Sequence, residues 1–207
     1  MALNPLDKLK ATIKSGQESF TFNDEPIKFT LLDFWRWSVS DILSNATRGR
    51  LAEFIVATAA SINTNEVRDE WGAFDLETAA GIKIEVKSAA YLQTWEQKQL
   101  STISFSTKLS KPWDLEIDKR GSVAKRSADV YVFCLLHHDN KQTVDPLNLD
   151  HWEFYVLATE QLNGYKRSQH SITLRSLKGL TEAVEYDQLN DKITAKNSLN
   201  KVIVHVM

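Results

Sequence analysis

The sequence lacks several features that would assign it to a specialised class of protein. It has one cysteine, Cys134, so an intramolecular disulfide is excluded and a reducing compartment is expected. It has no long apolar run and no hydrophobic signal segment at its start, so neither a transmembrane helix nor membrane association is expected. No Pro/Gly/Ser-rich linker divides the chain. We therefore expect a cytoplasmic protein with one domain over 1–207, in which 1–28 is a loosely ordered N-terminal extension or a short helix.

The sequence also has no strong excess of charge of one sign. Its formal net charge is −2, and its hydrophobic content of 43% with 25% charged residues is typical of a soluble globular protein. Positive charge is nevertheless concentrated in residues 108–126 and 165–178. This asymmetry is a weak indication of a polyanionic partner, and two solvated loops explain it equally well.

Hydrophobic periodicity predicts two early helices followed by several strands. The helices cover 30–44, with Thr30 as cap, and 47–62, with Thr47 as cap. The strands are expected at 71–78, 81–90, 101–108, 128–136 and 151–158, and a further strand and a helix are expected in the remaining C-terminal part. The strand at 128–136 is almost wholly apolar, as in a central strand buried on both faces. This order of elements predicts an α/β or α+β fold with helices on a mixed central β-sheet.

The segment "GIKIEVKSAA" (81–90) carries the most informative pattern. Ile82, Ile84 and Val86 alternate along it, which predicts a strand with one buried face. Glu85 and Lys87 then share the other face, about 7 Å apart. The preceding segment, "WGAFDLET", is predicted to pair with it as a hairpin turning around residues 79–81.

Asp75 is predicted to join this charged face of the hairpin. If its neighbours Phe74 and Leu76 lie on the core face, Asp75 points the other way, towards Glu85 and Lys87. Two carboxylates that lie close together repel each other unless a positive charge sits between them. The lysine or a divalent cation meets this need, and Mg²⁺ prefers one or two carboxylates, with a backbone carbonyl such as that of Val86 as a further oxygen ligand.

The second helix contributes a third candidate acid. Glu53 shares a helix face with Gly49, Ala57 and Ala60, and these small residues allow close approach to a sheet. The alternative is that the small residues serve packing and Glu53 lies at a wet edge.

These residues, in this order, resemble the restriction-endonuclease-like nucleases of the PD-(D/E)xK superfamily. Their pattern is a helix glutamate, a strand aspartate and then an acid-x-lysine on the next strand, which here correspond to Glu53, Asp75 and Glu85-Val86-Lys87. Phe74 stands where the named proline would be. The resemblance covers about residues 45–90 and extends loosely to the strand at 128–136.

The resemblance implies a restriction-endonuclease-like fold and phosphodiester hydrolysis. Its implied catalytic residues are Glu53, Asp75, Glu85 and Lys87, with Mg²⁺ as cofactor and Mn²⁺ as a substitute. Asp75, Glu85 and the Val86 carbonyl would hold the metal, Lys87 would position a water, and Glu53 would bind a second metal or order its waters. DNA is favoured over RNA as substrate, and a homodimer is left open.

Further residues are candidates for contacts with the nucleic acid. Gln93 follows the motif closely and could orient a water or a phosphate, unless it is a solvated loop residue. The basic candidates for contact with phosphates are Lys108, Lys111, Lys119, Arg120, Lys125 and Arg126. Cys134 lies in an apolar run and is interpreted as a core residue.

Two other interpretations compete with a nuclease. The first is a nucleic-acid-binding protein on the same fold that has lost its chemistry. The second is a partner-binding domain whose Glu85-Val86-Lys87 is only surface charge. Poor metal binding would indicate the first, and charged side chains that do not converge would indicate the second.

Overall fold

The computed structural model of the chain describes residues 9–70, 72–111, 113–114, 119–120 and 123–206, with the backbone alone at 113–114, 119–120 and 204–206. The α-helices in these ranges are α1 (Leu31–Val39), α2 (Asn45–Ala59), α3 (Thr159–Asn163), α4 (Leu174–Lys178) and α5 (Leu189–Val206). The strands in these ranges are β1 (Ser19–Phe22), β2 (Glu25–Thr30), β3 (Leu76–Glu77), β4 (Lys83–Ala90), β5 (Ser104–Ser106), β6 (Trp113–Asp114), β7 (Lys119–Arg120), β8 (Val130–Leu136), β9 (Trp152–Ala158), β10 (Ser171–Thr173) and β11 (Ala183–Val184). Single 3₁₀ turns precede β9 and α5.

A mixed five-stranded sheet forms the centre of the protein, in the order β11-β9-β8-β4-β3. β4 and β8 are parallel, with Ile84 opposite Val130, and the other neighbouring strands are antiparallel. Parallel neighbours are usually joined by a helix. The described residues between β4 and β8 instead form short strands and loops with no helix.

Each face of this sheet carries its own hydrophobic core. On one face, α2 and α5 cover Ile84, Val86 and Val132 with residues such as Val56 and Leu189. On the other face, the small sheet of β5 and β10 and the short helices α3 and α4 pack against Tyr131, Phe133 and Tyr155. β8 is buried along its whole length, as its apolar sequence predicts. The predicted mixed sheet flanked by helices is therefore confirmed.

The N-terminal part differs from the sequence prediction. Residues 19–30 form an antiparallel hairpin of β1 and β2, not a loose extension or a short helix. Asn23 and Asp24 lie at its turn with φ angles of 52° and 63°, values that asparagine and aspartate adopt more readily than most residues.

Both predicted early helices are present, although only the first begins where it was predicted to begin. α1 begins with the predicted Thr30 cap, which forms a capping box with Asp33. α2 begins two residues before the predicted Thr47 cap, with Ser44 preceding its first turn, so that prediction was wrong. Within the described residues, no helix is both long and apolar enough to cross a membrane.

Candidate functional site

The candidate site lies just before the start of β3, where the backbone of β3 no longer pairs with the edge of β4. Leu76 pairs with Ile84, and the N–H of Asp75 still donates to the Ile84 carbonyl at 3.1 Å. The next ladder position is filled by a side chain, because the N–H of Val86 donates to Asp75 Oδ2 at 2.7 Å. The Asp75 carboxylate is thereby fixed at the edge of β4.

The short length of β3 changes one part of the predicted hairpin. Leu76 lies on the predicted core face, but Phe74 packs against the core on the opposite face of the sheet. Residues 72–75 are a series of bends rather than extended strand, so the alternation of faces does not apply to them. The predicted turn is confirmed, with Gly81 at a positive φ of 76°.

Glu85 and Lys87 share one face of β4, as their spacing predicts. Lys87 Nζ donates to Glu85 Oε1 at 2.5 Å, and their side chains keep only 29% and 21% exposure, lysine first. The parallel register places Glu85 beside Tyr131 and Lys87 beside Phe133 on the neighbouring strand. The aromatic side chains of Tyr131 and Phe133 therefore flank this ion pair and limit its contact with water.

Glu53 approaches from the other face of the sheet. α2 packs through Ala52 and Val56 on the face that holds Ile84 and Val86, and Glu53 lies between these contacts. The Glu53 carboxylate is 15% exposed and forms a 2.7 Å ion pair with Arg68. Its charge interacts with those of Asp75 and Lys87.

These positions bring the four predicted catalytic residues to one edge of β4. Asp75 lies in the edge itself, Glu53 comes from the helix side, and Glu85 and Lys87 come from the opposite side. Asp75 interacts electrostatically with both glutamates. Glu53 and the Glu85–Lys87 pair thus approach from opposite sides of the sheet, and Asp75 lies at its edge.

Burial and the neighbouring carboxylate of Asp75 raise the pKa of both glutamates at this edge. Burial is the main cause that raises the pKa of Glu53, and repulsion from Asp75 raises it further, while Arg68 opposes the change. Burial likewise raises the pKa of Glu85, Lys87 opposes this, and Asp75 adds to it. Additional positive charge at this edge would therefore favour the ionised forms.

The oxygen atoms at this edge suit a hard divalent cation. Within the described ranges, no three His, Cys, Asp or Glu side chains are grouped so that they could hold a metal ion. Two of the acids have basic partners, since Arg68 pairs with Glu53 and Lys87 pairs with Glu85. Asp75 and Glu85 nevertheless supply the one or two carboxylates that Mg²⁺ prefers. The Val86 carbonyl points to the same edge as its N–H, because both groups of a strand residue face one neighbour.

A cleft of about 360 Å³ opens beside Glu53 and Asp75. Arg68 lines it, together with apolar side chains that include Phe54 and Val67. Through this cleft, solvent reaches Glu53 and Asp75 from the α2 side.

Two of the predicted nucleic-acid contacts form hydrogen bonds within the protein. Gln93 is only 7% exposed, and its side-chain amide donates to Ala90 O at 3.1 Å and Ser101 Oγ at 3.3 Å. Arg126 donates to Thr107 O at 2.8 Å and to Gln169 Oε1 at 2.8 Å. Both side chains therefore have local structural partners.

The remaining basic candidates divide into described and undescribed side chains. Lys108, Lys111 and Lys125 are exposed, and the backbones of Lys125 and Ser110 pair with each other. Lys119 and Arg120 form β7, and their side chains lie outside the described residues.

Two arginines at the site were missed from the sequence. Arg68 lies in a loop without periodicity, 15 positions after its partner Glu53, so no local pattern connects them. Arg48 is 3% exposed and donates to Leu43 O at 2.8 Å, to Asn45 Oδ1 at 2.6 Å and to Ser88 Oγ at 3.2 Å. It ties the start of α2 to β4 one residue after Lys87, which fixes the helix that carries Glu53 relative to that strand.

Comparison with known families identifies the class of protein as an endonuclease. The family model described as bacteriophage T4 endonuclease IV matches residues 12–176, which include the hairpin, four of the five strands of the central sheet and the whole candidate site. The chain belongs to the bacteriophage T4 endonuclease IV family. No curated protein sequence matches the chain.

Proposed function

We propose that this chain is a Mg²⁺-dependent endonuclease that hydrolyses phosphodiester bonds of DNA, on a restriction-endonuclease-like fold. The observation that carries the proposal is that Asp75 is bonded to the Val86 N–H at the edge of β4 and interacts electrostatically with both Glu53 and Glu85. Membership of an endonuclease family supports the reaction class, and the order of the four charged residues supports the fold.

Asp75, Glu85 and the Val86 carbonyl are the proposed holders of the metal. A bound divalent cation supplies Lewis acidity towards the phosphate and lowers the pKa of a water. The protein must keep its acids ionised for this purpose. Lys87 contributes directly, since its ammonium group opposes the rise in the pKa of Glu85.

Lys87 has a second proposed role at the substrate. Its Nζ lies 2.5 Å from Glu85 Oε1 and is therefore held where a phosphate beside the acids would come into reach. An ammonium group there offsets phosphate charge and donates a hydrogen bond to the attacking water.

Glu53 and Arg68 form the proposed helix-side half of the site. Glu53 orders water or a second cation next to Asp75. Arg68 favours the ionised form of Glu53 through their 2.7 Å ion pair, and it lines the cleft through which the substrate would approach. Its guanidinium is a suitable donor to a phosphate as well as to a carboxylate.

The proposed substrate is DNA, on the basis of the family and of the exposed lysines. Lys108, Lys111 and Lys125 present positive charge to solvent on a protein whose net charge is otherwise slightly negative. Contacts of this kind position a nucleic acid through its phosphates and carry no sequence preference.

A plasmid-nicking assay with Mg²⁺ or Mn²⁺ tests this function. We expect cleavage by the native chain, no cleavage with EDTA, and a loss of about 10²–10⁴-fold in Lys87→Met, typical of a lost proton-transfer or positioning group. The matched control is Lys83→Met, which removes an ammonium group from the same face of β4, four residues away, and should leave cleavage unchanged.

The same assay separates the proposal from its rivals. A native chain that binds DNA without cutting it, and binds metal poorly in calorimetry, would replace the nuclease with an inactive nucleic-acid-binding protein. A native chain that neither cuts nor binds DNA would leave only a partner-binding role.

A further inference from the structure

The cleft beside Glu53 and Asp75 has an exposed aromatic ring in its wall. Phe54 lines this cleft and is 55% exposed, although the two residues that follow it in α2, Ile55 and Val56, are buried in the core. Phenylalanine is among the residue types that are most often buried. This ring is instead presented to the cleft, next in sequence to one of the proposed catalytic acids.

One face of α2 forms a wall of this cleft. The lining residues from the helix are Arg50, Glu53, Phe54 and Ala57, and their spacings of three and four residues place them on one helix face. Ala57, one turn after Phe54, has only a methyl group, so the helix leaves space beside the ring. The other lining residues come from the loop after α2 and from the residues before and within β3.

The size and the apolar lining of the cleft suit a flat ring system. Its volume of about 360 Å³ lies at the lower end of the range for small-ligand sites, about 300–1,000 Å³. Ile62 and Val67 add apolar surface to that of Phe54. An exposed aromatic ring offers a π-face on which the planar ring of a nucleobase stacks, whatever the identity of the base.

The charge of the lining favours an uncharged group inside the cleft. Four acids and two arginines line it, so its formal charge is −2; these residues are Glu53, Glu66, Asp75, Glu77, Arg50 and Arg68. A phosphate inside the cleft would meet the like charge of the acids, whereas a nucleobase carries no charge. The arginines, each paired with a glutamate and partly exposed, are suited to a phosphate at the rim.

We propose that this cleft binds one nucleobase of the substrate strand, stacked on Phe54. The inference rests on the nuclease function proposed above, because the DNA substrate supplies the base. Since Glu53 and Asp75 line the same cleft, the base belongs to a nucleotide next to the phosphate that is cut, and its stacking positions the strand at the acids. Asn63 and Thr64, which also line the cleft, supply amide and hydroxyl groups for the edge of the base.

Fluorescence anisotropy of end-labelled DNA in EDTA tests this site, because it measures binding by the full chain without metal or cleavage. The two probes are a strand of about 12 abasic nucleotides and the same strand with one thymine at its centre. For the native chain, the thymine should lower the dissociation constant about 5–150-fold, as expected for one stacked base. Phe54→Ala should bind both probes about equally, and Phe54→Trp, which keeps a flat ring, should retain the preference.

Phe22→Ala is the matched control, because Phe22 is an exposed phenylalanine of β1, outside the described lining of the cleft, and its loss should leave the preference intact. Phe54→Leu keeps the apolar bulk without the flat ring, so it should lose most of the preference and keeps the test decisive if alanine disturbs α2.

Two results would overturn the base site. They are a native chain that binds both probes equally, and a preference that survives in both Phe54→Ala and Phe54→Leu. The plasmid-nicking assay tests the nuclease function separately. A preference that depends on Phe54 in a chain that does not nick would keep the base site and remove the nuclease, whereas nicking without any preference would remove only the base site.

Discussion

The Asp75 carboxylate accepts a 2.7 Å hydrogen bond from the backbone N–H of Val86, and so replaces the residue that would continue β3 along β4. One side chain therefore limits the start of β3 and, at the same place, brings a negative charge that interacts with both Glu53 and Glu85. The structural and the proposed catalytic roles of Asp75 can be separated by two substitutions.

Asp75→Asn and Asp75→Ala should differ in stability and agree in activity. Asparagine keeps an oxygen that can accept the bond from Val86, so the free energy of unfolding should change by less than about 0.5 kcal/mol. Alanine leaves the N–H of Val86 without its hydrogen-bond acceptor. Because Val86 is only 6% exposed, this loss should cost about 1–3 kcal/mol of unfolding free energy. Both should abolish metal-dependent cleavage. Equal unfolding free energies for the two variants, measured in urea, would contradict the bond's structural role.

Replacing Arg68 with methionine should raise the pKa of Glu53. The ion pair with Arg68 opposes the effects of burial and of Asp75, so its loss leaves Lys87 as the remaining group that favours the ionised form. The pKa can be followed by NMR of the side-chain carboxyl carbon as a function of pH. Arg50→Met is the control, because Arg50 pairs with Glu70 on an exposed surface and should not move Glu53. A Glu53 pKa that is the same in Arg68→Met and in the native chain would remove Arg68 from the site.

The pH dependence of stability should reveal the raised pKa of Glu85. Its pKa in the folded protein lies above the ordinary value of 4.5, mainly because of burial, so ionisation costs the folded state free energy. Without divalent metal, the protonated Glu85 carboxyl therefore contributes stability that is fully present below the pKa of the unfolded state. This contribution is lost as the pH rises through the pKa of the folded state. Thermal unfolding in EDTA should therefore show that Glu85→Gln gains stability relative to the native chain as the pH increases. A constant difference between the two at all pH values would contradict this.

The rate of cleavage should rise with pH, whereas the stability contribution of Glu85 falls. Metal binding needs ionised acids, so the rate should fall on the acid side, beginning above the ordinary glutamate pKa of 4.5. The pH profile of kcat/KM with Mn²⁺ measures this. An acid limb below that value would mean that neither glutamate limits the reaction.

Replacing Arg126 should lower stability and replacing Lys111 should weaken DNA binding, although both residues were predicted to contact phosphates. Arg126→Met removes hydrogen bonds to Thr107 and Gln169 and should cost about 1.5–3 kcal/mol of stability. Lys111→Ala changes an exposed side chain, so it should leave stability unchanged and reduce the salt dependence of DNA binding by about one ion. Binding titrations at several salt concentrations check both, and a stable Arg126→Met with weakened DNA binding would restore Arg126 as a phosphate contact.

The parts of the fold that follow from local periodicity were predictable from the sequence. Alternation placed Ile84 and Val86 in the core, and the apolar run of β8 identified a strand buried on both faces. The capping box at Thr30 was likewise local, since both of its partners lie within four residues. The hairpin at residues 19–30 was missed because its apolar face is exposed, although Asn23 and Asp24 carry a turn signal.

The site itself was only partly predictable, because it depends on contacts between distant segments. The spacing of Glu85 and Lys87 fixed their shared face, and the order of the acids indicated that Glu53 and Asp75 would join them. Nothing local indicated that Asp75 would bond to Val86, or that Arg68 would pair with Glu53. The burial of Gln93 was also not predictable, since it depends on the tertiary packing of its loop.

The most direct test of the central claim is a crystal structure of the full chain grown with Mn²⁺ and measured at the manganese absorption edge. We expect an anomalous peak at the edge of β4, within about 2.0–2.4 Å of carboxylate oxygens of Asp75 and Glu85 and of the Val86 carbonyl, with Lys87 beside it. No peak at this edge, with Glu85 still paired to Lys87 and Asp75 still bonded only to Val86, would contradict the account.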